Sequence, residues 1–365
     1  MSSKGRVLVA MSGGIDSTVT AALLHEEGYE VIGMTMKTWD YANSGGNKNK
    51  ETGCCSLDSI NDARQVAVTL GFPHYIIDIR EEFGDSVIDY FVEEYVAGRT
   101  PNPCVMCNTH IKWDALLRRA DNLGCDFIAT GHYAKVRLEN GRAVISCGRD
   151  LRKDQSYVLW GVSQAALKRT HFPMGDYKKD EIRQMAVEMG FDFLTKKPES
   201  YEICFIPDND YHRFLNKRVP GLKENVAGGK FVLADGTVVG EHKGYPYYTI
   251  GQRKGLVAMG EPYYVTDIRP EENKVVIGKE EELYRETLKV VGLNLVKYAQ
   301  LPEEGHIGNT KIRYNDPGKP AMIRQLDDRT AEAHFSEPVK AVAPGQACVF
   351  YEGEDVVGGG WIRQH

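Results

Sequence analysis

The feature that most constrains the fold is a strand, a glycine-rich loop and a helix that follow one another directly near the start of the chain. The strand pattern covers Arg6 to Ala10, the helical pattern covers Ser17 to His25, and the loop between them reads "MSGGIDS". Further strand patterns follow at "EVIGMTMK", "HYIIDIR" and "CDFIATGHY". This alternation predicts a doubly wound α/β fold with a parallel sheet, because successive parallel strands need crossover helices between them.

The segments between these strands differ in character. "SINDARQVAVTLG" has helical spacing and ends at Gly71, a residue suited to the C-terminus of a helix. "EEFGDSVIDYFVEEYVAG" is predicted as a single helix. Residues Tyr41 to Thr52 are polar and rich in Gly, Asn and Lys, a composition typical of a mobile loop.

The pattern changes after about Pro207. "GGKFVLADGTVVGEHKG" predicts two strands joined by a turn at Asp-Gly. From about Lys279 short alternating strands dominate, which predicts a β-barrel or sandwich. We therefore expect an α/β catalytic domain over 1–206, a small connector domain over 207–278 and a C-terminal β-barrel over 279–365.

Composition indicates a globular protein that does not enter a membrane. Hydrophobic residues make up 42% and charged residues 26% of the 365 residues, and the longest apolar runs are strand-sized. No signal peptide precedes the first strand pattern, so we expect a cytoplasmic protein whose eight cysteines stay reduced. The net charge of −6 gives no general argument for nucleic-acid binding, which would need a local basic patch.

The loop "AMSGGIDST" is the strongest single motif, although it lacks the lysine of a Walker-type P-loop. Gly13 and Gly14 allow a tight turn and a close approach to a ligand. Ser12, Ser17 and the first N–H groups of the helix offer an anion site for phosphates. Asp16 suits a Mg²⁺ ion that bridges the phosphates. The alternative is an ordinary glycine turn with a Ser or Asp helix cap.

Two cysteines stand three positions apart in "TPNPCVMCN", a spacing that leaves open a metal site, a disulfide, a redox pair or sulfur transfer. Cys107 precedes a predicted helix that starts near Asn108, and a helix N-terminus lowers the pKa of a thiol. Cys204 precedes a predicted turn, and two cysteines far apart in sequence can meet as carrier and partner. We expect the remaining cysteines to be buried or structural thiols, namely Cys54, Cys55, Cys125, Cys147 and Cys348.

A family resemblance rests on several motifs taken together. The loop "SGGIDS" resembles the PP-loop of the ATP pyrophosphatases, which split ATP into AMP and pyrophosphate. Between about Arg6 and Trp361 the chain carries, in this order, "MSGGIDS", "RTPNPCVMCN", "ATGHYA", "KDQSYVLW", "ESYEICFIPD", "YTIGQRKGL" and "KIRYNDPGKPA". Together these motifs resemble the bacterial tRNA-specific 2-thiouridylases, the family that thiolates the wobble uridine 34 of tRNA.

The resemblance implies that ATP, with Mg²⁺, adenylates O2 of uridine 34 and that sulfur then displaces AMP. Cys204 would receive sulfane sulfur as a persulfide, and Cys107 would help to release it, through a transient disulfide in one account. Met36 would border the adenine, although its residue type fits a core methionine nearly as well. The implied ATP-binding residues are Ala10, Met11, Ser12, Gly13, Gly14, Ile15, Asp16, Ser17, Met36 and Gly131.

The resemblance also implies partners. The expected substrates are lysine, glutamate and glutamine tRNAs, and the expected sulfur donor is a sulfur-relay protein or a cysteine desulfurase. The segment "KIRYNDPGKPAMIRQ" supports RNA binding independently, because it carries four cations and a tyrosine against one acid; a solvated barrel face is the alternative. The implied tRNA contacts are Asn102, Pro103, Cys104, His132, Lys153, Asp154, Gln155, Arg313, Tyr314 and Gln346.

One position departs from the family pattern. The best-known members carry an aspartate three residues before the first catalytic cysteine, and Cys104 stands there in this chain. A thiol does not replace a carboxylate with the same geometry or pKa. Cys104, Cys107 and Cys204 could instead hold an iron–sulfur (4Fe–4S) cluster with one open iron for hydrosulfide, which resembles iron–sulfur-dependent tRNA thiolases. A zinc site ranks third, and persulfide relay and cluster chemistry both stay open.

Two other function classes compete with thiolation. An ATP pyrophosphatase that joins ammonia to an activated carbonyl would not need the cysteines, although no glutaminase-like segment is evident. A module that binds tRNA or a nucleotide without chemistry is disfavoured by the intact "SGGIDS" loop. Substitution of Cys107 and Cys204 separates the first alternative from thiolation.

Overall fold

The computed structural model describes residues 4–39, 56–197 and 203–363. The loop predicted over Tyr41–Thr52 and the cysteines Cys54 and Cys55 lie outside these residues. The chain divides into two compact units. The first comprises Met1–Val87, Cys104–Asp210 and Glu354–Val356, and the second comprises Ile88–Pro103, Tyr211–Gly353 and Val357–His365. No helix within the described ranges has the length and apolar character needed to cross a membrane.

The elements alternate in the first part of the chain and are mainly strands in the last. The helices are α1 (Ile15–Glu26), α2 (Leu57–Leu70), α3 (Arg80–Phe83), α4 (Asp89–Val96), α5 (Pro103–Cys107), α6 (Trp113–Asn122), α7 (Gln164–Leu167), α8 (Lys179–Glu188), α9 (Tyr211–Arg218) and α10 (Leu222–Asn225). The strands are β1 (Arg6–Ala10), β2 (Glu30–Lys37), β3 (His74–Asp78), β4 (Phe127–Ala129), β5 (Ala134–Glu139), β6 (Arg142–Cys147), β7 (Thr170–His171), β8 (Gly229–Val232), β9 (Val238–His242), β10 (Tyr264–Arg269), β11 (Lys274–Gly278), β12 (Tyr284–Leu295), β13 (His306–Lys311), β14 (Lys319–Asp327), β15 (Thr330–Lys340), β16 (Ala347–Glu352) and β17 (Asp355–Arg363).

The first unit contains the predicted parallel sheet. Its five strands lie in the order β3–β2–β1–β4–β7, and all neighbours are parallel. The chain proceeds from β1 to β2 and β3 and then returns to the other side of β1 with β4, so the order reverses between β1 and β4. Ligands of open α/β sheets bind at such a switch point, beyond the carboxyl ends of the strands. The doubly wound fold class is confirmed.

The helices of this unit cover the sheet as their apolar spacing predicts. Val7 and Val9 of β1 are fully buried in a core that α1 enters through Val19 and Ala22. α2 ends at Gly71, whose positive φ of 78° provides the predicted left-handed stop. Leu8, which points to the opposite face of β1, is also fully buried, so the strand before the loop is covered on both faces.

One predicted helix forms as a continuous helical segment that contains a wider turn. The pattern from "EEFG" to "YVAG" forms α3 and α4 with a π-helical turn, Gly84–Ile88, between them. Gly84 has low helix propensity, and a wider turn is tolerated there. The chain also passes from the first unit to the second within this turn.

The second unit contains a small mixed sheet and a closed barrel. The sheet has the order β10–β11–β8–β9, and β8 and β9 form the predicted antiparallel hairpin. Strands β12–β15–β14–β13–β16–β17 follow one another around the barrel, and pairing of β12 with β17 closes it. The predicted connector and C-terminal β-barrel architecture is therefore confirmed.

The barrel interior provides a test of this assignment. Phe350 is fully buried in the barrel core, whereas Ile307 on β13 keeps 69% of its surface exposed. We expect Phe350→Ala to lower the free energy of unfolding of the barrel by about 3–5 kcal/mol, because it removes packing and leaves a cavity. Differential scanning calorimetry of the full chain measures the effect, with Ile307→Ala as the matched control. Equal midpoints for the two variants would contradict the assignment.

Candidate functional site

The glycine-rich loop follows β1 and leads directly into α1. Gly14 is the N-terminal boundary residue of α1, and no side chain caps this helix. The alternative of a Ser or Asp cap is therefore wrong. The Ser17 hydroxyl instead accepts a hydrogen bond from the Ser12 backbone N–H at 3.1 Å and donates one to the Gly14 carbonyl oxygen at 3.1 Å. The loop is thus folded back on the first turn of α1, whose N-terminus favours anions.

Two glycines allow close approaches at this loop. Gly13 has a φ of 71°, and a Cβ added to it would overlap the Ser59 carbonyl group at the start of α2. Gly131 follows β4, and a Cβ there would come within 3.0 Å of the Ser17 backbone nitrogen. The structure therefore brings the segment after β4 against the first turn of α1, at the switch point of the sheet.

Asp16 is the charged centre of the loop. Its carboxylate accepts hydrogen bonds from the Lys179 ammonium at 2.7 and 2.8 Å, and its Oδ1 accepts another from the Tyr133 hydroxyl at 2.6 Å. The Lys179 side chain is only 7% exposed, whereas that of Asp16 is 32% exposed. Sequence reasoning missed both partners. Tyr133 lies within "ATGHYA", but no sequence signal marks a buried lysine at the start of α8.

A second lysine approaches the loop from the segment that leads towards Cys204. The Lys197 ammonium lies 3.4 Å from the Gly13 carbonyl oxygen and forms a close ion pair with Asp62 of α2. Partial burial lowers the pKa of Lys197, and the charge of Asp58 opposes this change. The loop, α2 and this segment are therefore linked by charge.

The remaining predicted ATP-site residues lie on the same edge of the sheet. The Met11 backbone N–H donates to the Met34 carbonyl oxygen at 2.8 Å, and the Thr35 hydroxyl donates to the Met11 carbonyl oxygen at 2.8 Å. Met36 is partly buried near the carboxyl end of β2, next to β1. Ala10 ends β1 and Ile15 begins α1.

The helix that carries Cys107 begins earlier than the sequence predicts. α5 starts at Pro103, continues through the π-helical turn Asn108–Lys112 and leads into α6. Cys107 therefore lies inside a continuous helical segment, and Cys104 occupies its first turn. The prediction of a helix start near Asn108 is wrong, and with it the argument that a helix N-terminus lowers the pKa of Cys107. Proline at the first helical positions was the available signal.

Asn108, which sequence reasoning did not assign, holds this helix in place. Its side chain is buried, and its Nδ2 donates to the Val158 carbonyl oxygen at 3.1 Å. This bond ties the residue after Cys107 to the "KDQSYVLW" segment. The position of the Cys107 backbone therefore depends on that segment.

The three candidate cysteine ligands differ in exposure. Cys104 and Cys204 are exposed, Cys107 is buried, and all three are thiols. Protein packed around Cys104 raises the pKa of its thiol by desolvation, and the charge of Lys112 opposes this change. The Cys104 thiol is therefore both accessible to solvent and partly desolvated by its neighbours. Within the described parts of the chain, no three His, Cys, Asp or Glu side chains are grouped to hold a metal ion.

His132 is neutral at physiological pH. Desolvation, aided by the charge of Lys112, lowers the pKa of His132 to about 3. Its Nδ1 lies 2.7 Å from the Thr130 hydroxyl oxygen, and its ring lies 5.6 Å from that of Trp113. The imidazole can therefore form a hydrogen bond or stack with a base, but it does not supply a positive charge.

The predicted tRNA-contacting segment of the first unit is held by its own side chains. Asp154 accepts hydrogen bonds from the Gly148 N–H at 3.0 Å and the Ser156 hydroxyl at 2.8 Å. Gln155 Oε1 accepts from the Tyr133 N–H at 3.0 Å. Lys153 is partly exposed beside them. Asp154 and Gln155 thus form hydrogen bonds within the protein, and Lys153 is the cation that this segment could offer to a phosphate.

In the second unit, Gln346 contacts the segment that precedes the cysteine helix. Its Nε2 donates to the carbonyl oxygens of Thr100 at 3.1 Å and Pro101 at 3.0 Å. Both Nε2 donors are therefore used within the protein, next to Asn102 and Pro103. The two remaining predicted contacts, Arg313 and Tyr314, are exposed on the barrel.

Comparison with known proteins identifies related sequences over the whole chain. Residues 5–208 match a family model described as the tRNA methyl transferase HUP domain, residues 213–279 the tRNA methyl transferase PRC-barrel domain, and residues 285–362 the aminomethyltransferase beta-barrel domain. The chain is 64% identical to tRNA-specific 2-thiouridylase MnmA of Amoebophilus asiaticus, over 99% of this chain and 96% of that protein. It is 66% identical to the protein of the same name from Cytophaga hutchinsonii, over 100% of this chain and 98% of that protein.

A solved structure, a 4-thiouridine synthetase–RNA complex with bound ATP, matches at a TM-score of 0.38 and 17% identity. The match covers 60% of this chain and 51% of that one. A likeness of this size carries no conclusion about this chain.

The close approach at Gly13 predicts the effect of adding a side chain there. We expect Gly13→Ala to weaken ATP binding at least tenfold, about 1.4 kcal/mol, because the added Cβ displaces either the loop or the start of α2. Isothermal titration calorimetry measures this affinity. Gly71→Ala is the matched control, since Gly71 has a φ of 78° with no atom within 4 Å of an added Cβ. Unchanged ATP affinity in Gly13→Ala would contradict the close approach.

The environment of His132 predicts a pH dependence. With a folded-state pKa of about 3, its imidazole stays neutral between about pH 5 and pH 8. The unfolded chain binds a proton at this residue below about pH 6.5, so His132 makes the folded state less stable as the pH falls from there towards 3. Histidine-labelled NMR, assigned with His132→Asn, should show a constant His132 shift over that range. A titration midpoint near pH 6 would exclude the buried neutral state.

Proposed function

The chain belongs to the family of tRNA-specific 2-thiouridylases, which are tRNA sulfurtransferases, and we propose that it uses ATP to replace O2 of the wobble uridine 34 with sulfur. The observation that carries this proposal is the packing of Gly131 and Tyr133 against the first turn of α1. This packing joins the phosphate loop and the "ATGHYA" segment into one site at the switch point of the sheet, where nucleotides bind in such folds.

In the first step, O2 of the uridine attacks the α-phosphorus of ATP. The bond from the α-phosphorus to the bridging oxygen of pyrophosphate breaks, and O2 becomes bonded to AMP. The loop from Ala10 to Ser17 would bind the phosphates, Gly131 would allow their approach, and Met36 would border the adenine. Asp16 fits as the residue that would hold Mg²⁺, because its carboxylate is partly exposed beside the loop. Mg²⁺ would neutralise phosphate charge.

In the second step, sulfur replaces AMP at C2 of the uridine. The terminal sulfur of a Cys204 persulfide attacks C2, and AMP leaves with O2. The Cys107 thiolate then attacks Cys204 Sγ, which releases the thiouridine and forms a Cys107–Cys204 disulfide that an external thiol reduces. The exposure of Cys204 suits loading by a sulfur-relay protein or a cysteine desulfurase, and the burial of Cys107 protects it from other oxidants.

The iron–sulfur alternative gains no support from the described geometry. A cluster with three thiolate ligands needs Cys104, Cys107 and Cys204 grouped around one centre. No such group of ligands is found in residues 4–39, 56–197 and 203–363, which include all three cysteines. We therefore derive no step through a cluster, and the persulfide relay is the proposed chemistry.

We assign tRNA binding to two sets of residues, one in each unit. Arg313 and Tyr314 would contact the RNA backbone and a base, while the Asp316 carboxylate accepts backbone hydrogen bonds from Ile312 at 3.1 Å and Gly318 at 3.0 Å within its own turn. In the first unit, Cys104 and neutral His132 would contact the extruded uridine, with Lys153 as a phosphate contact. In the second unit, Asn102 and Pro103 would also contact the RNA. The substrates would be the lysine, glutamate and glutamine tRNAs.

Substitution of the two cysteines tests the sulfur step. We expect Cys107→Ser and Cys204→Ser to lose tRNA thiolation while they retain tRNA-dependent pyrophosphate release, because adenylation does not use the thiols. The assay uses iron-free enzyme with Mg²⁺–ATP and a persulfide donor, and thiouridine is quantified by mass spectrometry of digested tRNA. Cys125→Ala is the matched control, since burial raises the pKa of Cys125 to about 11 and keeps it a thiol. Thiolation by Cys204→Ser, or none by the iron-free wild type, would refute the persulfide relay.

A further inference from the structure

The glycine-rich loop lacks a lysine of its own, but the fold supplies one from α8. Lys179 is the first residue of α8, and its ammonium lies 2.7 and 2.8 Å from the two Asp16 carboxylate oxygens. The same ammonium lies 5.7 Å from the centre of the Tyr133 ring, whose hydroxyl also binds Asp16. The lysine is therefore fixed from two sides, directly beside the loop.

The negative charge of Asp16 affects how the loop can bind a phosphate. Asp16 places a carboxylate in the first turn of α1, next to the N–H groups that would bind phosphate. A carboxylate so close to a polyphosphate repels it unless a cation lies between or beside them. The Asp16 side chain is 32% exposed, whereas that of Lys179 is almost entirely buried.

Stability alone does not explain such a pair. Replacement of a buried ion pair by apolar groups of similar size is often neutral or stabilising, so its presence is weak evidence for a structural role. The neighbouring Lys178 is exposed, whereas Lys179 is buried beside Asp16. The Lys179 ammonium donates hydrogen bonds to both carboxylate oxygens of Asp16 in the loop.

We propose that Lys179 is a positioning residue that cancels the charge of Asp16 and so makes the loop receptive to the pyrophosphate part of ATP before Mg²⁺ arrives. This inference rests on the proposed ATP site and adds a residue to it. Asp16 is held in one orientation by Lys179 and Tyr133, ready to face the metal. When Mg²⁺–ATP is bound, the ion takes over part of the charge compensation that Lys179 supplies.

Binding of inorganic pyrophosphate in EDTA tests the role of Lys179 without catalysis. We expect Lys179→Met to weaken this binding at least about tenfold, because Asp16 is left uncompensated. The double variant D16N/K179M should regain most of the affinity, since the repelling charge is gone. Asp16→Asn alone should bind pyrophosphate at least as tightly as the wild type. Lys178→Met is the matched control and should bind like the wild type.

The outcomes separate this inference from the proposed function. Unchanged pyrophosphate affinity in Lys179→Met, or no recovery in the double variant, would overturn the role of Lys179. The proposed ATP site would still stand, provided that the wild type binds pyrophosphate. If Lys179→Met does not fold, Asp16→Asn decides the matter, because weaker pyrophosphate binding by that variant overturns the inference. Absence of both ATP and pyrophosphate binding in the wild type would overturn the proposed function together with it.

Discussion

The close packing of Gly131 against the first turn of α1 is the constraint on which the site depends. A Cβ added to Gly131, in the segment after β4, would lie 3.0 Å from the Ser17 backbone nitrogen, so any other residue there would have to push the two segments apart. This approach occurs where the strand order reverses between β1 and β4, so a crevice opens at the carboxyl ends of both strands. Tyr133 of the same segment donates its hydroxyl to Asp16 of the loop. The close packing at Gly131 thus goes together with a hydroxyl donor at the phosphate loop.

Ion pairs and hydrogen bonds hold the loop in addition to this packing. Tyr133 and Lys179 come from different parts of the chain and converge on Asp16, while Lys197 binds Asp62 beside Gly13. Two of these bonds end on Asp16 of the loop, and the third joins α2 to Lys197, whose ammonium lies 3.4 Å from the Gly13 carbonyl oxygen. A phosphate site built in this way does not need a lysine within the loop sequence, because cations arrive from α8 and from the segment that follows it. The loop is therefore recognised by its glycines in sequence and by its partners in structure.

Sequence patterns predicted the parts of this structure that local chemistry determines. Apolar strands alternating with helical spacing specify a doubly wound sheet, and Gly71 marks a helix end through its left-handed backbone. The order β3–β2–β1–β4–β7 and the partners of Asp16 were not predictable, because they depend on contacts between residues more than a hundred positions apart. The helix carrying Cys107 begins at Pro103, earlier than the predicted start near Asn108. Proline suits a first helical turn, where its missing N–H is not needed.

That correction changes the chemical meaning of Cys104. The helix begins at Pro103, so the residue in its first turn is Cys104, at the position where the family resemblance implies an aspartate. Desolvation raises the pKa of this thiol, so it is neutral at physiological pH, whereas an aspartate there would carry a charge. In the proposed site, the uridine would therefore meet one negative charge fewer. Proton transfer at this position must then rely on other groups or on water, and a sulfur-transfer mechanism that draws only on Cys107 and Cys204 is compatible with that loss.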